Sequence, residues 1–417
     1  MSCIPINDFS LITLCDATKV GKLYSIVPDT GAGDFDVARA TTATYLGSDG
    51  LIKTAANNEP RIEFNADGSY KGLLVEPAAT NLVLRSQEFD DAVWSKLRTT
   101  ITQNNIIAPN GTMTADKMTA DIDDSTYGID FSTLTGTGTF TASIFAKKGS
   151  VDWLYIRQGN SGGGTRLVRA WFDLNNGVVG GATPSPISHK IEDYGNGWYR
   201  CSMTFEVLAG GIPRPQFYLS TDDEIASFTS DGTDNLFLWG AQLEEGTVAT
   251  SYIPTVASTV TRAADSISKT NASALIGQTE GTLYAEVDIS NFRPPNRLVA
   301  ISDGTTDNRI IVVFGTNNRF RFIASINGTN VFDENTTLSY SPGDFKIAIT
   351  YAQNSYDIFI NGAKVISISS GNVPACNSIF LGKVESSSTA NLLNDHIKAV
   401  AILPTALSEQ EAINLTS

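Results

Sequence analysis

The chain is patterned in short alternating runs of hydrophobic and polar residues, with turn-forming residues between them. In residues 168–174, for example, an apolar side chain at every second position alternates with Arg169, Trp171 and Asp173. Successive side chains of a β-strand point to opposite faces, so this period of two predicts half-buried strands. Many short strands separated by turns are typical of sandwiches and barrels, and helical periodicity is nearly absent. The sequence therefore predicts an all-β protein.

The clearest local signals lie near the C-terminal end. Asn361-Gly362 separates two alternating runs, and Asn-Gly is the pair that a type I′ hairpin turn favours. Residues 408–411, Ser-Glu-Gln-Glu, fit a capping box and predict one short helix after the last strand.

The chain of 417 residues is long enough for two or three domains of roughly 150 residues each. We expect two β-sandwich domains of jelly-roll type after an extended N-terminal segment. Residues 1–80 are weakly patterned, which predicts a segment ordered by contacts beyond its own fold. Residues 81–263 hold all five tryptophans and predict the first sandwich. Residues 264–278, rich in Ser, Thr and Ala, predict a linker, and residues 279–417 predict the second sandwich.

Charge and composition exclude several classes of partner. The formal net charge of −15 argues against nucleic acid, whose affinity rests on clustered Lys and Arg. No apolar stretch approaches the ~20 residues that span a bilayer, so no membrane span is expected. The N-terminal residues lack a basic region followed by a long apolar run, so we expect synthesis in a cytoplasm without a signal peptide.

Candidate chemistry is sparse. His189 and His396 fall in different predicted domains and away from any nucleophile motif, so no catalytic centre and no cofactor are predicted. A glycosidase needs only two carboxylates, and with 44 acidic residues that alternative stays open. Aspartate-rich loops, as at residues 231–234 and 303–307, offer the oxygen ligands that calcium prefers, although solvated turns are the favoured interpretation.

Aromatic and polar side chains on the outer face of several strands are the most informative feature. Aromatic rings stack on the C–H faces of sugars, and flanking polar groups bond to sugar hydroxyls. The same side chains are also enriched in subunit contacts, so an assembly contact remains the alternative. The candidate carbohydrate-binding residues are Trp153, Tyr155, Arg157, Arg169, Trp171, Asp173, Gln216 and Tyr218.

Four motifs occur in a fixed order: NLVLRSQEF at residues 81–89, followed by Trp94; GNGWYR at 195–200; WGAQLE at 239–244; and TSYIPT at 250–255. Together they resemble a module common in phage tail and prophage proteins, and this module looks like a carbohydrate-binding jelly roll. Residues 279–417 are similar to laminin-G-like and concanavalin-A-like sandwiches, mainly in the hairpin at residues 357–365 and in residues 407–411.

The resemblance implies a virion protein, either a tail fibre or a surface spike. Such a protein would display lectin-like domains that attach to a host cell-surface glycan and would contact other virion or tail proteins. Analogy with tail fibres favours a homo-oligomer, most often a trimer. Two alternatives remain, a tail-borne glycan depolymerase and a purely structural adaptor or decoration protein.

Overall fold

The computed structural model describes residues 4–132, 134–159, 167–290, 296–385 and 392–417. Antiparallel strands dominate these residues, which confirms the all-β prediction. Two 3₁₀ turns, Ile6–Asp8 and Thr316–Asn318, and one α-helix, α1 at Glu409–Thr416, accompany them. In the same residues, no helix has the length and apolar character needed to cross a membrane.

The strands fall into three groups along the chain. The first group comprises β1 Leu11–Thr13, β2 Thr18–Lys19, β3 Lys22–Leu23, β4 Phe35–Ala38, β5 Ala43–Leu46, β6 Ile52–Ala55, β7 Ile62–Phe64, β8 Tyr70–Val75 and β9 Ala79–Asn81. The second group comprises β10 Ser95–Leu97, β11 Thr99–Ile106, β12 Ala115–Ala120, β13 Ile122–Ser125, β14 Gly128–Asp130, β15 Gly138–Lys148, β16 Trp153–Gln158, β17 Val168–Asp173, β18 Val178–Val179, β19 Ser188–Asp193, β20 Tyr199–Val207, β21 Pro215–Ser220, β22 Phe228–Asp231 and β23 Asn235–Glu245. The third group comprises β24 Val260–Arg262, β25 Ser266–Lys269, β26 Glu280–Ile289, β27 Asn296–Ser302, β28 Arg309–Phe314, β29 Phe320–Ile326, β30 Thr329–Asn335, β31 Gly343–Ala352, β32 Ser355–Ile360, β33 Ala363–Ile368, β34 Ser378–Leu381 and β35 Asp395–Leu403.

Most strands of the first and third groups together build one unit, which we call the terminal sandwich. Its eight-stranded sheet runs β33-β32-β31-β26-β35-β8-β7, with β1 also paired to β35. Its nine-stranded sheet runs β2-β3-β4-β25-β34-β27-β28-β29-β30. Apolar side chains from both sheets, such as Leu73, Val287 and Phe322, form one buried core between them.

The second group forms a separate unit, which we call the inserted sandwich. Its first sheet runs β10-β14-β21-β16-β17-β18, and its second sheet runs β11-β12-β23-β15-β20-β19. The inward side chains that alternation predicts, among them Leu154, Phe172 and Met203, fill the core between the sheets.

The chain is therefore divided differently from the sequence-based expectation. Residues 1–80 supply strands to the terminal sandwich: Leu11 in β1 pairs with Ile402, and Val37 in β4 pairs with Ile267. The stretch expected as a linker contains β25, which lies inside the nine-stranded sheet between β4 and β34. Residues 1–80 are thus ordered by packing against apolar surface of the same chain.

Two short paired strands, β9 and β24, connect the sandwiches and form what we call the neck. Beside the neck, Arg61 binds Glu76 at 2.5 Å and also pairs with Asp265, whose other oxygen binds Arg39 at 2.9 Å. Burial alone would raise the pKa of Glu76, but Arg262 and Arg61 hold it well below its usual range. Removing one partner from such a buried group would leave an uncompensated charge, so the group fixes the neck in place.

The hairpin of β5 and β6, which we call the covering hairpin, lies on the outer face of the second sheet of the inserted sandwich. Its Leu46 and Ile52 pack against Phe145, Trp239 and other buried aromatic side chains. The amide of Ile52 also donates to the carbonyl of Pro109 at 2.9 Å. An N-terminal element therefore shields one aromatic face of the insert.

Both local predictions near the C-terminal end are confirmed. Asn361 and Gly362 have φ values of 48° and 78°, the two positive angles of a type I′ turn between β32 and β33. Ser408 caps α1, and the Glu411 side chain accepts from the Ser408 amide to complete the capping box.

Candidate functional site

All eight candidate residues lie on the first sheet of the inserted sandwich, on three neighbouring strands. Cross-strand register aligns them in three rows. Tyr155 stands opposite both Trp171 and Tyr218, and Arg157 stands opposite both Arg169 and Gln216. Trp153 and Asp173 face each other at the end of the strands. The structure thus brings together side chains that the alternation pattern placed on a common face.

The central row, which we call the aromatic row, is Tyr218, Tyr155 and Trp171. The Tyr155 and Tyr218 rings stack at 4.8 Å with an interplanar angle of 9°, and Tyr155 and Trp171 stack at 5.1 Å and 24°. None of the three side chains is more than 2% exposed. Their ring faces contact each other rather than solvent.

A short segment, residues 221–226, contributes to this burial. The Tyr155 hydroxyl donates to the carbonyl of Ala226 at 3.2 Å, and the Trp171 indole donates to the carbonyl of Ile225 at 3.1 Å. We expected exposed rings that stack on a sugar, and the structure corrects this for Tyr155, Trp171 and Tyr218. The chain folds back after β21 and satisfies their polar atoms itself.

Two further candidates have structural contacts. Asp173 accepts from the amides of Asn175 and Asn176 at 2.8 and 3.0 Å, so its carboxylate orders the turn after β17. Trp153 is partly exposed and packs against the aromatic row. Sugar binding by the eight residues stays a prediction, but the side chains that a ligand could reach are fewer than expected.

The third row, which we call the arginine row, is Gln216, Arg157 and Arg169. Arg157 and Arg169 are partly exposed, and within the described residues neither guanidinium has a hydrogen-bond acceptor or a carboxylate partner. Gln216 is 5% exposed, and its Oε1 atom is buried without a donor. The neighbouring carboxylate, Asp130, is already held by Arg214, whose Nε lies 2.7 Å from one carboxylate oxygen.

The tyrosines beside the arginine row remain neutral. Burial raises the pKa of Tyr155 and of Tyr218, and this effect outweighs the opposing charges of Arg157 and Arg169. Arg157 also lies over the Tyr218 ring, 5.9 Å from its centroid. The phenols therefore provide no negative charge, and no described residue forms an ion pair with either guanidinium group.

The aspartate-rich loops behave as turns where they are described. Asp231 and Asp303 each accept from the amide and the hydroxyl of the threonine two residues later. Across residues 4–132, 134–159, 167–290, 296–385 and 392–417, no group of three or more His, Cys, Asp or Glu side chains is arranged to hold a metal ion.

A polar cleft between the two sandwiches was missed by the sequence-based search, because its residues come from distant parts of the chain. Glu63, Glu192 and His396 are among the residues that line it. His396 Nε2 lies 2.7 Å from Glu63, whose other oxygen accepts from the Leu46 amide of the covering hairpin at 3.1 Å. A motif search has no signal for such a site.

Two of the cleft carboxylates, Glu63 and Glu192, have a lowered pKa. Burial alone would raise the pKa of Glu63, but His396 and Lys71 outweigh it and lower the pKa to about 2. Burial likewise opposes ionisation of Glu192, yet Lys190 and Lys71 lower its pKa. A glycosidase needs one carboxylic acid with a raised pKa as proton donor, and neither group provides it.

The chain is similar at low identity to several solved structures. The CBM40 of the Ruminococcus gnavus IT-sialidase is 13% identical, with a TM-score of 0.30 over 34% of this chain and 84% of that one. Domain 4 of AbnA, a GH43 extracellular arabinanase from Geobacillus stearothermophilus in complex with arabinotriose, is 12% identical, with a TM-score of 0.31 over 42% of this chain and 84% of that one. The binding domain of Botulinum neurotoxin DC, in complex with rat synaptotagmin II, is 13% identical, with a TM-score of 0.29 over 36% and 39% of the two chains. No family model matches the chain, and no curated protein matches it.

Proposed function

We propose that this chain is a bacteriophage virion protein, a tail fibre or surface spike, that attaches to a host-cell glycan through the inserted sandwich. The observation that carries the proposal is the arginine row, where the partly exposed Arg157 and Arg169 and the buried Gln216 Oε1 have no hydrogen-bond partner among the described residues. The four ordered motifs that resemble a phage module lie within the inserted sandwich and beside its neck, which supports the virion setting.

We further propose that the chain binds without cleaving. The rival function, a tail-borne depolymerase, requires a protonated carboxylic acid beside a second carboxylate. Glu63 and Glu192 both line the cleft, but the pKa of each is lowered. Outside the cleft, burial raises the pKa of Asp116 to about 6, but its oxygens accept from the backbone amides of Phe89 and Asn104.

The experiment is to apply the purified full-length chain, in its native oligomer, to an array of bacterial surface glycans. We expect retention of at least one glycan and no new reducing ends when the chain is incubated with it. New reducing ends would favour the depolymerase, and an array without any bound glycan would favour the adaptor. Light scattering on the same sample tests the proposed trimer.

A further inference from the structure

We infer that the ligand is an acidic saccharide, whose carboxylate is clamped by Arg157 and Arg169 beside Gln216. The inference rests on the proposed glycan attachment and specifies the chemical class of the glycan. It assigns the arginine row, not the aromatic row, as the contact surface.

Charge is the first argument. Arg157 and Arg169 are direct cross-strand partners, and like charges in that position destabilise a sheet. Two other arginines have carboxylate acceptors: Arg214, directly before β21, binds Asp130, and Arg321 in β29 binds Asp333 at 2.5 Å. Two adjacent guanidinium groups that find no acceptor in the described part of the chain, whose formal net charge is −15, form a local site for an anion. A planar carboxylate matches the fork of a guanidinium group.

The second argument is the buried acceptor beside the arginines. Among the described residues, Gln216 Oε1 has no donor, and a buried acceptor without one costs about 1–3 kcal/mol. A uronic or sialic acid ring carries a carboxylate for the arginines and hydroxyl donors that reach Gln216 Oε1 if the atoms covering it move. A DNA backbone offers phosphate oxygens to the arginines but has no free hydroxyl for Gln216, so the row favours a sugar acid over a DNA backbone.

Rigidity is the third argument. The row lies next to the aromatic row on the same strands, and those rings are stacked and buried. Side chains held on strands beside a packed layer lose little freedom when a ligand binds. The buried rings therefore support the site, although they do not touch the sugar.

The test measures binding of the full-length chain to hyaluronan, polygalacturonate and polysialic acid, each beside its carboxyl-reduced form. We expect at least one acidic polymer to bind and its reduced form to bind at least about tenfold more weakly, the loss of one charge-assisted contact. Arg157→Gln and Arg169→Gln should each weaken binding of the acidic polymer by a similar factor. The matched control is Arg98→Gln, which removes the same charge from an exposed ion pair with Asp123 and should change binding less than about twofold.

The outcomes separate this inference from the proposed function. Equal binding of acidic and reduced polymers, or full binding by the Arg157 and Arg169 variants, overturns the inference and leaves glycan attachment standing. Binding of neutral array glycans alone does the same. Failure to bind any glycan, acidic or neutral, overturns both. Melting temperatures of the variants show that each remains folded.

Discussion

The two outer faces of the inserted sandwich carry the same kinds of side chain but differ in the contacts that these side chains make. Each carries stacked or edge-to-face aromatic rings with an arginine over one of them. On the second sheet, Arg200 lies 5.4 Å from the Phe145 ring centroid. On the first sheet, Arg157 lies 5.9 Å from the Tyr218 ring centroid. Both aromatic layers are buried, so exposed aromatic area does not distinguish the faces.

The faces differ in what the arginine binds. Arg200 donates to the carbonyl of Thr250 at 2.6 Å and to the Ser143 hydroxyl at 3.0 Å, and it is 2% exposed. Arg157 has no acceptor among the described residues and is partly exposed. The comparison teaches that polar groups without partners among the described residues, rather than tryptophans, distinguish the face that we propose binds a ligand.

The largest expected effect comes from truncating the aromatic row. Trp171→Ala should lower the free energy of unfolding by about 3–5 kcal/mol, because a fully buried indole leaves a cavity. Thermal or urea unfolding measures the loss. Trp153→Ala, on the same face but partly exposed, is the matched control and should lose clearly less. Equal unfolding free energies for Trp171→Ala and the unchanged chain would contradict the burial described for this ring.

The covering hairpin and residues 221–226, which lie over the two aromatic faces, should respond unequally to loss of an aliphatic side chain. Ile52 in the covering hairpin is 7% exposed and packs on aromatic rings, so Ile52→Ala should cost about 2–4 kcal/mol. Ile225 over the aromatic row is 40% exposed, so Ile225→Ala should cost less than about 0.5 kcal/mol. Urea unfolding of both variants gives the comparison. Equal losses of unfolding free energy would mean that the covering hairpin and residues 221–226 are held by the same kind of contact.

The two arginines provide the closest matched pair. Arg200→Gln should destabilise the chain by about 2 kcal/mol, because charge-assisted hydrogen bonds to Thr250 and Ser143 are lost. Arg157→Gln should leave stability unchanged or raise it by about 0.5 kcal/mol, because a like-charge contact with Arg169 is relieved. A strong destabilisation by Arg157→Gln would show that this arginine is structural.

The smallest expected effect is a dependence of local stability on pH that affects the covering hairpin but not residues 221–226. Burial and the charge of Lys71 lower the pKa of His396 below its ordinary value of 6.5, despite the hydrogen bond to Glu63. The buried Nδ1 of His396 has no partner within the described residues, so protonation of His396 is unfavourable in the folded chain. The folded pKa is the lower one, so this contribution to stability is present above pH 6.5 and is lost as pH falls below it.

Glu63 connects His396 to the covering hairpin through the Leu46 amide. Hydrogen exchange in residues 43–55 should therefore speed up between pH 7 and pH 5 relative to residues 221–226, after correction for intrinsic rates. His396→Gln should remove most of this difference. Parallel changes in the two segments would show that the histidine does not act on the hairpin.

Alternation along the sequence predicted much of the fold and part of the site. It placed all eight candidate residues on one face, because the side-chain period of a strand depends only on local geometry. It could not show that Tyr155 and Trp171 are buried, because this depends on where residues 221–226 fold back. Their hydrogen bonds to Ala226 and Ile225 are contacts between distant positions that a strand pattern does not encode.

The predicted domain boundaries differ from those of the structure for a related reason. Strands β1 to β3 are two or three residues long, and such lengths are too short to show a period. β25, with the sequence Ser-Ile-Ser-Lys, has only one buried residue in four and resembles a polar linker. Pairing with long strands of the terminal sandwich, not their own composition, makes these segments strands.

The pairing of Leu11 with Ile402 also dictates an order of folding during synthesis. At ribosomal speeds, roughly tens of seconds separate the appearance of these two residues. The inserted sandwich is complete by β23 and is free to form while β1 and β8 still lack β35, their partner in the eight-stranded sheet. The nascent N-terminal strands thus expose unpaired edges during that interval, and the yield of folded protein depends on how well those edges are protected from other chains.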